Sequence, residues 1–275
     1  MREERKYRFG MAAEDLEKAL NLGKPAEGLW SAHADPNYES ANGMFGGWTT
    51  AVALGAVLRS CADSPRPSAL TINFVNRIEP GSSLLISTRR VGGGRSVSHW
   101  VAELMTEGQH QPLAFASVVL AERRDSDGKT DVEMPLAPDP DTLEVIHPAP
   151  GAAGERTMMR PIKGFPPFGR TTTYSTAWVR ETSRRPVDDL QLTFLADFRP
   201  PRSFFWSDGP RPSVTLVLSV YYHATEEELA QVGDEDLLSE AFGVRGSQST
   251  SEEHLRLWSR HGALLATSVQ LAWYR

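Results

Sequence analysis

Residues 113–121, LAFASVVLA, return 151 positions later at residues 264–272 as LLATSVQLA. Upstream, Pro67-Ser68-Ala69-Leu70 is echoed by Pro212-Ser213-Val214-Thr215. Such internal likeness points to one module used twice and packed against itself. The differences carry as much as the likeness. At an offset of 151 the apolar Val119 becomes Gln270, and at an offset of 145 the apolar Leu70 becomes Thr215. One half keeps polar side chains where the other has only packing.

Around these anchors the two halves have the same order of elements. From Gly43 a glycine-rich turn leads into FGGWTTAVALGAVLRSC, an apolar stretch with helical spacing that stops at Asp63-Ser64-Pro65. It predicts a helix apolar nearly all round, and therefore buried. The runs LTINFVN, SLLISTRRV, SVSHWVAELMTEG and LAFASVVLAER follow, separated by Pro-Gly, Gly-Gly-Gly and His-Gln-Pro turns. In the second half TTTYSTAWVRET reads as a strand and residues 187–198 as a helix. SVTLVLSVYYHAT, DEDLLSEAFGVRGSQ, SEEHLRLWS and ALLATSVQLAWYR complete a second meander. The fold class is α+β, each module an antiparallel sheet wrapped around a central helix. The divisions are residues 1–124, a proline-rich surface linker over 125–167, and 168–275. Residues 1–28, weakly helical around Glu14–Leu22, read as a leader packed on the first module.

The 275 residues fit two such modules, and a charged content of 23% is ordinary for a globular protein. A net charge of −6 gives no reason to expect nucleic acid. No apolar run approaches the roughly 18–20 residues of a membrane span, and MREERKYRFG is too charged for a signal peptide, so the expected compartment is the cytoplasm. The single cysteine, Cys61, excludes an intramolecular disulfide and reads as core filler. There is no G-x-S-x-G elbow, no H-E-x-x-H and no cysteine pair, which removes serine-hydrolase and zinc chemistry.

FGGWTTAVAL at 45–54, the blocks from PSALTINF through GRSVSHWVAEL to LAFASVVLAERR, LADF at 195–198, TLVLSVYYH and the final ATSVQLAWYR together resemble the double hot-dog acyl-CoA thioesterases, the thioesterase II-like group of the hot-dog superfamily. The resemblance covers most of the chain from about Met44 onward. It implies two fused hot-dog modules, an acyl-CoA substrate, no metal or organic cofactor, and further pairing into a dimer or tetramer. It implies as catalytic set Asp197 of LADF, Thr215 of TLVLSVYYH and Gln270 of TSVQ. Two of these three are the positions that break the repeat, and the residue matching Asp197 in the first half is the apolar Val52.

Thioester hydrolysis requires that water lose a proton as it attacks, and Asp197 would take it while Thr215 and Gln270 hold the water. Gly46 and Gly47, opening the first helix, are candidate substrate-binding positions, because backbone N–H groups there could receive the oxyanion and a missing Cβ admits the substrate carbonyl. Arg95, after Gly92-Gly93-Gly94, is a candidate contact for CoA phosphate, although a glycine run between strands also serves as a plain hairpin. Phe74, Trp100, Phe115, Phe194 and Trp206 are candidate walls of the acyl tunnel. Each assignment has a plainer rival: LADF as a mere helix end, Thr215 as an ordinary strand residue, Gln270 facing outward. Two other functions stay open. One is a hot-dog hydratase or dehydratase, which uses an Asp with a His five residues later; here that place holds Arg202. The other is a non-catalytic acyl-CoA-binding protein.

Overall fold

The computed structural model describes residues 15–61, 66–109, 111–147 and 151–275. Glu14, His110 and the expected helix stop at Asp63-Ser64-Pro65 lie outside them. In chain order the elements are α1 (Asp15–Ala19), β1 (Gly23–Ala26), β2 (Leu29–His33), β3 (Glu39–Ser40), β4 (Gly43–Met44), α2 (Gly46–Arg59), β5 (Pro67–Phe74), β6 (Ser83–Gly93), β7 (Val97–Thr106) and β8 (Pro112–Ala121). There follow α3 (Ala152–Glu155), β9 (Thr157–Lys163), β10 (Ser175–Glu181), α4 (Asp189–Leu195), β11 (Ser213–Tyr222), α5 (Glu226–Val232), β12 (Leu237–Ser247), β13 (Thr250–Trp258) and β14 (Leu264–Tyr274).

All strands except β3 and β4 join one sheet of order β1-β2-β6-β7-β8-β5-β11-β14-β13-β12-β10-β9, every pairing antiparallel. The order is symmetric about the β5–β11 junction, where Thr71 faces Ser219 and their hydroxyls hydrogen-bond at 2.9 Å. Each half curls round its own helix. Helix α2 is buried from Gly47 to Val57, as an all-apolar helix must be. Across the junction, Arg66 donates twice to Asp189 at the start of α4, at 2.6 and 3.1 Å, and once to Ala224 O at 2.8 Å.

Equivalent ladder irregularities fix how the two halves correspond. The β5–β8 ladder slips between Pro67 and Ala69, and the β11–β14 ladder between Thr215 and Val217. The β6–β7 ladder slips between Arg90 and Gly92, and the β12–β13 ladder between Gly243 and Arg245. Thr215 therefore corresponds to Pro67. Leu218, which faces Gln270, corresponds to Leu70, which faces Val118. Gly243, which faces Glu253, corresponds to Arg90, which faces Trp100.

The 151-residue sequence offset is thus one position out of face. Val119 points to the outer side, whereas Val118 and Gln270 both point inward. The contrast between the halves survives the shift: Pro67, Val118 and Trp100 on one side stand against Thr215, Gln270 and Glu253 on the other.

Helix α4 has 7 residues against the 14 of α2, and it is shorter than the span 187–198 expected from sequence. Asp188 caps its start by accepting the Gln191 N–H, and Pro200 and Pro201 bar any extension beyond Phe198, since the residue before a proline is pushed out of helical geometry and neither proline can donate. The chain consequently leaves the helix at Ala196 and Asp197. At the sheet margins, β1 pairs with β2 and β9 pairs with β10, so the end of the expected leader and part of the expected linker are edge strands.

Candidate active site

Asp197 lies where α4 ends, and the N-terminus of α2 comes to meet it. Phe45, the residue before α2, offers no side-chain cap to the exposed N–H groups of the first turn. The Asp197 carboxylate supplies one from the other module by accepting the Gly47 N–H. The contact is close because Gly46 lacks a side chain: a Cβ there would stand 2.6 Å from Asp197 Oδ2 and 3.3 Å from Phe74 Cζ.

Asp197 is buried, and loss of hydration drives its pKa up from 3.8 to about 7. Three smaller influences oppose or add to that shift. The Arg199 charge lowers it, Glu253 raises it, and the Gly47 hydrogen bond lowers it.

On the sheet, β11 and β14 bring Thr215 and Gln270 together, with Thr215 Oγ1 donating to Gln270 Oε1 at 3.4 Å. The other end of the same amide is held more tightly, as Gln270 Nε2 donates to Glu253 Oε2 at 2.7 Å. Glu253 is fully buried on β13 and accepts the Arg202 backbone N–H on its second oxygen at 2.8 Å. Arg199 Nε stands 3.5 Å from Glu253 Oε2, while Arg199 Nη1 donates to Ala196 O at 2.8 Å and to Ser268 Oγ at 3.0 Å. Arg199 and Glu253 thus couple the Thr215–Gln270–Glu253 chain electrostatically to Asp197.

Glu253, Arg199 and Ser268 were not among the sequence candidates. The signal for Glu253 was present, since Ser251, Glu253, Leu255 and Leu257 alternate onto the inner face of β13.

The other candidates fare differently. Gly46 and Gly47 do border Asp197, at the first turn of α2. What approaches Gly46 closely is the Asp197 side chain. Arg95 is exposed at the tip of the β6–β7 hairpin. Val97 pairs with Ala121 and Pro67 with Leu120, so that tip sits at the Pro67 end of β5. Gly46 touches the Phe74 side chain at the other end of this eight-residue strand, about 25 Å off. Arg95 does not join the cluster; the glycine run makes a hairpin.

Of the expected tunnel walls, Phe74 and Phe194 lie at the module junction, Phe194 packed edge-on to Tyr38 and Phe45. Phe115 is half exposed on the outer face, Trp206 lies on Tyr274 near the surface, and Trp100 occupies the first-module place equivalent to Glu253. Among the described residues, no helix is long and apolar enough to cross a membrane, and no three His, Cys, Asp or Glu side chains are grouped to hold a metal.

Residues 34–121 match the family model for the acyl-CoA thioesterase N-terminal domain, and residues 131–274 match that for the acyl-CoA thioesterase C-terminal domain. The chain belongs to the acyl-CoA thioesterase family. Membership makes this acyl-CoA thioesterase family protein a thioester hydrolase.

Solved structures agree on the fold. A hot-dog protein of unknown function from Alicyclobacillus acidocaldarius is 27% identical with a TM-score of 0.89, the match covering 94% of this chain and 97% of that one. A putative thioesterase II from Thermobifida fusca YX is 20% identical with a TM-score of 0.81, over 95% and 97% of the two chains. A tesB protein from Mycobacterium avium subsp. paratuberculosis is 18% identical with a TM-score of 0.79, over 96% and 99%. No curated protein matches the sequence. The fused pair of hot-dog modules implied by the sequence resemblance is the architecture of this family member.

Proposed function

We propose that the protein hydrolyses fatty acyl-CoA to free acid and CoA by activating water with Asp197 as general base. The observation that carries this reading is the placement of a buried carboxylate with a pKa of about 7 on the α2 N-terminus, beside the Thr215–Gln270–Glu253 chain. Because Gln270 Nε2 is committed to Glu253, the amide turns its oxygen toward Thr215. A water held there donates one hydrogen to the Gln270 oxygen and the other to the Asp197 carboxylate, with the Thr215 hydroxyl alongside. With both hydrogens engaged, its lone pair is free to attack the thioester carbon. Asp197 takes the proton as the new C–O bond forms, and returns it to the thiolate sulfur when the C–S bond breaks.

Arg202 argues against hydratase or dehydratase chemistry. It stands where such a site would place a His, but its guanidinium is fixed on Thr173 O, Ser175 Oγ and Pro200 O at 2.7–3.1 Å. Burial lowers its pKa only to about 9, so it keeps its proton at neutral pH and offers no base. A pure binding role is separated from hydrolysis by measuring free-thiol release from acyl-CoAs of graded length. Release expected for part of the series supports the reading, and none across the whole series overturns it.

Two further outcomes follow from the geometry. The dependence of kcat/KM on pH should rise from acid to a plateau with an apparent pKa near 7, the limb on which Asp197 loses its proton. A flat profile from pH 5 to pH 8 would remove Asp197 as the base. Replacing Gln270 with Ala should lower kcat by about tenfold or more and leave KM within about twofold, because the amide places water rather than substrate. A change confined to KM would make Gln270 a binding residue.

A further inference from the structure

We propose that Glu253 and Arg199 act as a positioning pair for hydrolysis: Glu253 fixes the Gln270 amide with its oxygen toward the attacking water, and Arg199, anchored on the end of α4, presents to Asp197 a positive charge that Glu253 balances. This rests on the reading of Asp197 as the base.

The geometry leaves Glu253 no other disposition. Its Oε1 accepts the Arg202 N–H at 2.8 Å, and its Oε2 accepts Gln270 Nε2 at 2.7 Å while facing Arg199 Nε at 3.5 Å. A carboxylate can only accept, so the amide must turn its NH2 toward Glu253 and its oxygen away. A neutral partner with a donor of its own would allow the amide to flip. Arg199 is anchored through one nitrogen: its Nη1 grips Ala196 O at 2.8 Å and Ser268 Oγ at 3.0 Å, and Ser268 Oγ itself donates to Ala196 O at 2.7 Å. Ala196 is the residue before Asp197, so this clamp fixes the backbone that carries the base.

Glu253, and the Ser268 that anchors Arg199, have apolar equivalents in the first module, where Trp100 occupies the place of Glu253 and Ala116 that of Ser268. Burying Glu253 and Arg199 at 0% and 2% side-chain exposure is costly, and a hydrophobic filling such as Trp100 would serve stability as well. The pair is thus confined to the module that carries Asp197.

The charges that bear on Asp197 are Arg199 from its own segment and Glu253 from β13. From α2 the facing group is the Gly47 N–H, and from β5 it is the Phe74 ring, neither of them titratable. Removing one charge of the pair should therefore move the acid limb of kcat/KM in a direction set by the charge that remains. In Glu253→Gln, Arg199 acts unopposed and the limb should fall by about one pH unit. In Arg199→Gln, Glu253 acts unopposed and the limb should rise by about the same amount. Glu253→Gln should also lower kcat by about tenfold with KM within about twofold, since the freed amide can present NH2 to the water. Glu253→Asp, which restores the charge, should bring the limb back and recover kcat relative to Gln.

Limbs that stay at the wild-type position in folded variants, or that move in the same direction, overturn the pair. If one variant fails to fold, the shift in the other decides. A wild-type profile without a limb near pH 7, or an Asp197→Asn protein that turns over normally, would instead sink the base assignment on which the pair depends.

Discussion

Asp197→Asn protein is expected to release thiol from its best acyl-CoA at least about a hundredfold more slowly than wild type, and to melt at a higher temperature above pH 8. The two effects have one cause. Asp197 has a folded-state pKa near 7 against an ordinary 3.8, so between about pH 4 and pH 7 the folded chain holds a proton that the unfolded chain has released. Stability falls as pH rises through that window, and by pH 8 the cost of the buried charge is on the order of a few kcal/mol. Asn is neutral, keeps an oxygen for the Gly47 N–H, and does not carry that cost. For a chain of this size the gain at pH 8.5 corresponds to a rise in Tm of about 5 °C, and to less than half of that at pH 5.

Thermal melts of the two proteins at both pH values, beside thiol-release rates, provide the check. A carboxylate present only to cap α2 predicts the reverse in stability, since an ionised cap at a helix N-terminus is stabilising and its loss would lower Tm at alkaline pH. Full activity in Asp197→Asn would remove the base assignment altogether.

The sequence carried the fold because both of its main signals were long and uninterrupted. FGGWTTAVALGAVLRSC has no polar stripe, so a buried helix was the only consistent reading. The strands that follow alternate cleanly between glycine- and proline-marked turns. The elements that escaped were edges. Strand β1 is GKPA and β9 carries Pro161, both too short or too broken to show a period, yet tolerated where one side of the strand is unpaired.

In the site, Thr215 and Gln270 were visible because the other half of the chain supplied an apolar reference. Even so, matching residue types placed Gln270 against Val119, which faces the opposite side. A sheet shifted by one residue turns every side chain over, and likeness of residue type does not register that. Glu253 stayed hidden because Glu252-Glu253 looks like a solvated pair, although only Glu252 points outward. Arg199 lay in FRPPR, where the prolines drew attention to the chain break rather than to the guanidinium folded back on Ala196 and Ser268. The place of Arg95 was hidden for a related reason: sequence gives residue chemistry, whereas which end of a hairpin faces Asp197 is a property of the completed sheet.

Adding one methyl group at Gly46 or at Gly47 should separate catalysis from folding across the module junction. At Gly46 the new Cβ would lie 2.6 Å from Asp197 Oδ2 and 3.3 Å from Phe74 Cζ, both of them ends of side chains that can turn aside. Gly46→Ala is therefore expected to fold with stability within about 1 kcal/mol of wild type, since Ala in place of Gly in a helix offsets part of the crowding. The carboxylate, however, must give way, and a displacement on the order of 1 Å costs about a hundredfold in rate.

At Gly47 the Cβ would lie 2.3 Å from the Phe194 carbonyl oxygen and 2.5 Å from the Phe45 ring. The backbone of α4 cannot turn aside, so α2 and α4 must move apart. Gly47→Ala should lose about 3 kcal/mol or more of stability along with activity. Melting temperature and thiol-release rate measured on both variants distinguish the cases. A Gly46→Ala enzyme with wild-type turnover would mean that the position of the Asp197 carboxylate does not limit the reaction. A Gly47→Ala enzyme with wild-type Tm would mean that α2 and α4 are not in the contact from which the site is built.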